Sequence, residues 1–179
     1  MAIPPKADDQ RLRSAVQPIL ERHGLICEDL RTQRVGASTR VVITVDLPED
    51  EIGSVDLDTV ADASEEISQL LDDDPELIGE GPSTLEVTTP GVFRPLTQLR
   101  HFKRSRTRLL SGAAADGREF YGRLTEVEGD TLVIDVMKPP HKPKKKGSSA
   151  PSAERYTPGI HRIPLADLSS AQIELDFRA

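Results

Sequence analysis

The chain of 179 residues contains no tryptophan, and aromatic residues make up only 3% of it. Any core must therefore rest on aliphatic side chains, and platforms on which unpaired bases could stack are scarce. Cys27 is the only cysteine, so an internal disulfide is excluded and a reducing cytoplasm is the expected setting. The opening residues Met1-Ala2-Ile3-Pro4-Pro5-Lys6-Ala7 lack the apolar run of a secretory signal. No stretch approaches the ~18 apolar residues that would span a bilayer, so no membrane association is expected. Catalytic patterns are missing as well. His23, His101, His141 and His161 are widely separated, and there is no P-loop, G-x-G-x-x-G or G-x-S-x-G. An enzyme activity, a cofactor and a metal are all unexpected. Asp72-Asp73-Asp74 is the nearest approach to a cation site, but three consecutive carboxylates fan out rather than converge.

Charge of one sign is absent from two long stretches. From Asp46 to Glu86 there are fifteen acidic residues and no Lys or Arg, and from Arg94 to Arg108 there are six basic residues and no acid. Residues 1–91 carry −13 and residues 92–179 carry +6, giving the total of −7. A net charge of −7 alone would argue against a nucleic-acid partner. The division implies instead one half that attracts basic protein surfaces and another that attracts phosphate.

What is present reads as two small α+β domains. Residues 1–7 are expected to be a flexible tail and 8–91 an acidic α-β-β-α-β domain with its helices on one face of a three-stranded sheet. Leu12, Val16, Ile19 and Leu20 fall at helical spacing, Gly24 is a natural stop, and Pro18 should kink or shorten that helix. Strands are expected at 25–35, 40–47 and 84–88. Between the last two, Leu57, Val60, Ile67, Leu70 and Leu71 mark the apolar face of a second helix, capped by Ser54 or Asp56. Residues 92–97 read as a linker, because Pro90, Gly91 and Pro95 interrupt regular structure. Residues 98–179 start with one helical turn at 98–103. Strands are then expected at 106–111, 119–127, 131–137, 160–164 and 170–177, which suggests a small β-barrel. Gly122 inside a strand implies a close backbone approach. The Lys-, Pro- and Ser-rich residues 138–159 read as a flexible insertion.

Arg94, Arg100, Lys103, Arg104, Arg106 and Arg108 are candidate phosphate contacts, since the guanidinium fork donates two hydrogen bonds to one phosphate. Alternation at 104, 106 and 108 would place three guanidinium groups on one strand face. Lys142, Lys144, Lys145 and Lys146, with Lys138, form a second cluster suited to salt-sensitive, sequence-independent contacts.

Between the two charge regimes stands Leu85-Glu86-Val87-Thr88-Thr89-Pro90-Gly91, then Val92-Phe93, then Arg94-Pro95-Leu96. It resembles the signature of the ribosome maturation factor RimP family, Leu-Glu-Val-Ser-Ser-Pro-Gly followed two positions later by Arg-Pro-Leu. The resemblance extends to Leu71-Asp72 before it, to His101-Phe102 after it, and to Ile163-Pro164-Leu165 near the end. Thr88-Thr89 replace Ser-Ser, Phe93 stands in place of an acid, and Ser170 in place of a common Lys. The resemblance implies a C-terminal Sm-like barrel and a non-enzymatic factor that binds the immature small (30S) subunit. It also implies help for a basic decoding-site protein docking on rRNA. On that reading Asp56, Asp58, Glu65, Asp72 and Asp73 would meet the ribosomal protein, and the two basic clusters would meet rRNA. Thr88, Thr89, Pro90, Gly91 and Pro95 would form the interdomain joint, and a monomer is expected. The alternatives are a general Sm-like RNA chaperone and, with little support, a carboxylate metallonuclease built on Asp72 and Asp73.

Overall fold

A computed structural model describes residues 7–91, 94–140 and 154–176 and divides into two compact units, Met1–Pro90 and Gly91–Ala179. The tail at 1–6, the residues 92–93, the segment 141–153, which holds Lys142 and Lys144 to Lys146, and the residues 177–179, where the last expected strand ends, lie outside the described residues.

In the first unit the order is α1 (Ala7–Arg22), β1 (Ile26–Val35), β2 (Ser38–Asp46), α2 (Leu57–Asp73) and β3 (Ser83–Thr88). Leu12, Val16, Ile19 and Leu20 bury one stripe of α1. The helix ends in a double hydrogen bond: Gly24 N donates to Glu21 O at 3.0 Å and Leu25 N to Leu20 O at 2.9 Å. This closure needs a left-handed residue, which Gly24 supplies at φ 67°. Pro18 lies inside α1, which runs its full expected length, so of the two expected effects the shortening does not occur. Buried Val16, Ile19 and Leu20 flank it, and their packing outweighs the one backbone bond that proline forgoes.

β1 and β2 form an antiparallel hairpin, and β3 runs parallel to β2 on its other side. Alternation along β2 buries Val41, Ile43 and Val45 in one cluster with the α1 stripe and with Val60, Ala63, Ile67 and Leu71 of α2. Asp56 caps α2, its carboxylate accepting from Thr59 N at 3.2 Å. Leu57, expected in the core, is 78% exposed. Ala63, a small residue, fills the buried face instead.

The second unit contains α3 (Leu99–Arg104), β4 (Leu109–Ala114), β5 (Glu119–Glu128), β6 (Thr131–Val136), β7 (Gly159–Pro164) and β8 (Leu168–Ile173). The strands form an antiparallel sheet in the order β7-β6-β5-β4-β8. Hydrogen bonding does not run on from β8 to β7, so the sheet is open. A 3-10 turn at Leu165–Asp167, unforeseen in the sequence, joins the two edge strands directly. Phe102, Leu110, Phe120, Leu124, Leu132, Ile134 and Ile163 form the core. Gly122 is forced: a Cβ there would meet Asp135 O and lie 2.8 Å from Val136 Cα. Gly112 is confined likewise, by Ser170 O and by the Phe120 ring at 2.7 Å. No described helix is long and apolar enough to cross a membrane.

Candidate functional site

Two charged surfaces emerge, each within its own unit. In the first, each of the six arginines already has a partner. Arg22 pairs with Glu66 at 2.5 Å, Arg31 with Asp29 at 2.7 Å, Arg40 with Glu86 at 2.5 Å and Arg11 with Glu76 at 3.8 Å. Arg13 donates to Cys27 O at 3.0 Å and Arg34 to the Thr39 hydroxyl at 3.2 Å. Local cations are thus spent on Asp29, Glu66, Glu76 and Glu86, and among the described residues none is left for one face of α2. Asp58, Asp62, Glu65 and Asp72 are exposed and, among the described residues, have no ion-pair partner. Their spacing of four, three and seven residues keeps them on one helical face, opposite the buried stripe.

The expected acidic contacts separate on inspection. Asp58, Glu65 and Asp72 share that face, to which Asp62 belongs although its residue type alone did not single it out; its i+4 spacing from Asp58 was the available signal. Asp73 accepts from Gln69 Nε2 at 3.2 Å at the helix end. Asp56 is structural, as the cap. Glu66 is set apart by its partners: the hydrogen bonds from Arg22 and then His23 hold its carboxyl below the ordinary carboxylate range.

In the second unit the basic run is not on a strand. Lys103 and Arg104 close α3, Arg106 lies in the following turn, and β4 begins only at Leu109, so the three-guanidinium strand face is corrected. The cause is a series of turns. Ser105 N donates to Phe102 O at 2.9 Å, Arg108 N to Ser105 O at 3.0 Å, and Arg106 Nε to Lys103 O at 3.0 Å. Thr107 has φ 71°, a left-handed conformation rare for a β-branched residue. It is held from β5, with Thr107 N donating to Leu124 O at 2.8 Å and Arg123 Nη1 to Thr107 O at 2.6 Å.

The same segment is anchored from beneath. Phe102 is fully buried, and His101 is 5% exposed. His101 Nδ1 accepts from Thr97 N at 3.1 Å and Gln98 N at 3.2 Å, so the ring carries the start of α3. Ser105 Oγ donates to His101 O at 2.7 Å. Arg100 Nε reaches Gln98 Oε1 at 2.7 Å. Arg94 precedes all of these, its N–H bonded to Gly91 O at 3.2 Å, and Pro95 bridges to Gln172. Thr88 is the last residue of β3, followed by Thr89, Pro90 and Gly91.

Four described arginines of the sheet and its loops are matched by carboxylates. Arg118 pairs with Asp116 at 2.7 Å, Arg123 with Asp176 at 2.5 Å, Arg155 with Glu119 at 3.5 Å and Arg162 with Glu128 at 3.3 Å. These contacts push the Arg118 and Arg162 guanidinium groups up and the Asp116 carboxyl down from their ordinary values. Between Arg94 and Arg108 no acid is interspersed in the sequence.

Residues 15–93 match the RimP N-terminal domain family. A ribosome maturation factor RimP of Kineococcus radiotolerans is 33% identical over 95% of this chain and 81% of its own length. One of Frankia casuarinae is 34% identical over 94% of this chain and 59% of its own length. The chain belongs to the ribosome maturation factor RimP family.

Proposed function

We propose that this family member acts in ribosome maturation, by binding the immature small (30S) subunit in the cytoplasm as a monomer. The α2 face of Asp58, Asp62, Glu65 and Asp72, with Asp73 and the cap Asp56 beside it, engages a basic ribosomal protein of the decoding site. Arg94, Arg100, Lys103, Arg104, Arg106 and Arg108 contact rRNA phosphates, supplemented by Lys142, Lys144, Lys145 and Lys146. Thr88, Thr89, Pro90, Gly91 and Pro95 act as the interdomain joint. The observation that carries this reading is the use of every arginine of the first unit inside that unit, which leaves the α2 acids for a partner. Asp72 and Asp73 also sit at the helix end where the dipole disfavours negative charge, at a cost of ~0.3–1 kcal/mol each. Retaining them there suits binding rather than stability.

The Sm-like barrel belongs to the same proposal. In a flat five-stranded sheet the edges lie ~19 Å apart. Pro164 and Leu168 end and begin the two edge strands, and four Cα steps span ~15 Å at most. The edges are also offset along the strands: Pro164 is level with Thr131 and Glu128, whereas Leu168 pairs with Ala114 near Glu119, nine residues back along β5. Coiling of the sheet into a barrel with a large stagger accommodates both facts.

Site-specific photocrosslinking on immature small subunits tests the division of labour. A photoreactive residue at Asp62 should yield a protein adduct, and one at Arg106 an rRNA adduct. RNA adducts from both positions would favour the general RNA chaperone instead.

A further inference from the structure

α2 has two flanks between its buried stripe and its acidic face, and they are unlike. One carries Leu70 and Glu66, and α1 reaches it through Arg22 and His23, which bind Glu66 at 2.5 and 2.9 Å. The other carries Leu57, Ala61, Ser64 and Ser68, at spacings that keep them on one side of the helix. Leu57 is 78% exposed, Ala61 and Ser68 are exposed, and Ser64 is half-buried. This flank is therefore a shallow track of small side chains that lets another backbone come close, with a bare leucine at its start. Asp58, Glu65 and Asp72 border it on the solvent side.

We propose that this flank is the docking track for an amphipathic segment of the basic partner, whose aliphatic side chain packs on Leu57 while flanking Lys or Arg side chains pair with Asp58, Glu65 and Asp72. The inference rests on the acidic face being the protein-binding surface and adds the apolar anchor and the side of the helix. Charge complementarity selects the occupant: an acidic border repels nucleic acid and a second acidic copy of this unit, and attracts a cationic chain. The leucine supplies what exposed ion pairs lack, since such pairs contribute little and desolvated apolar anchors dominate interfaces.

The test uses the full chain and two 14-residue peptides of equal positive charge, one with Lys and Leu at helical spacing and one with each Leu replaced by Ser, followed by fluorescence anisotropy. Wild type should bind the Leu peptide at least fivefold more tightly, and Leu57→Ser or Ala61→Gln should bring the two affinities together. Since both positions are exposed, thermal unfolding should be unchanged in either variant. Equal affinities in wild type, or a preference that survives Leu57→Ser, would overturn the proposal. The broader acidic-surface reading fails separately, if Asp58→Lys with Glu65→Lys leaves binding of both peptides and of small subunits unaltered.

Discussion

At the scale of single residues, the second unit depends on a few side chains whose roles are not those their types suggest. His101 looks like a candidate for proton chemistry and is instead a buried acceptor for two backbone N–H groups. His101→Ala should leave both donors unpaired and lower the unfolding free energy of the second unit by about 1–3 kcal/mol, measured by urea denaturation. Thr107 is held left-handed by β5, at a cost of ~1–3 kcal/mol that the surrounding bonds offset. Thr107→Asn, which tolerates that conformation, should stabilise the unit by about 0.5–1 kcal/mol in the same measurement. Gly122 was legible as a close approach because a glycine amid strand residues has few other uses. His101 was not, because a histidine's partner is a matter of tertiary placement. The turn at 103–108 was misread for a related reason: alternating arginines imitate a strand pattern, whereas the Ser105 and Thr107 bonds that coil the segment leave no periodic trace.

At the scale of elements, apolar periodicity located both long helices and most strands, because each buries one face and that constraint is written into spacing. It misplaced Leu57, since the stripe of a helix extends in sequence beyond the sheet that covers it. The two ends of α2 also differ in kind. Asp56→Ala should cost about 1 kcal/mol through loss of the cap, whereas Asp72→Ala should be neutral or slightly stabilising, so the two thermal shifts separate a capping acid from one at the disfavoured end of the helix. The α1–α2 contact carries a pH dependence. Because Arg22 and His23 depress the Glu66 carboxyl, its contribution is present above the ordinary value of 4.5 and is lost as pH falls through the lower folded value. The melting-temperature gap between wild type and Glu66→Gln should narrow progressively as pH falls below 4.5. A gap independent of pH would remove Glu66 from the account.

At the scale of the whole molecule, the change of charge sign near Gly91 was visible in the sequence alone and coincides with the division of the structure at Pro90 and Gly91. What the sequence could not give was how much of that charge is already used. The ion pairs of the first unit occupy Asp29, Glu66, Glu76 and Glu86 and leave one face of α2 acidic, and those of the second match Arg118, Arg123, Arg155 and Arg162 with carboxylates. A chain of net charge −7 thus has one strongly acidic half and one basic half, as the proposed pairing with a basic protein and with RNA requires. The most direct test is cosedimentation of the full chain with immature small subunits over stepped salt, comparing wild type with a triple Gln variant at Arg104, Arg106 and Arg108. Wild type should pellet with subunits at low salt. The variant should bind more weakly, with a log–log salt slope shallower by roughly 2–3 if all three residues contact phosphate. Absence of wild-type binding at low salt, or a variant with the wild-type affinity and slope, would contradict the account.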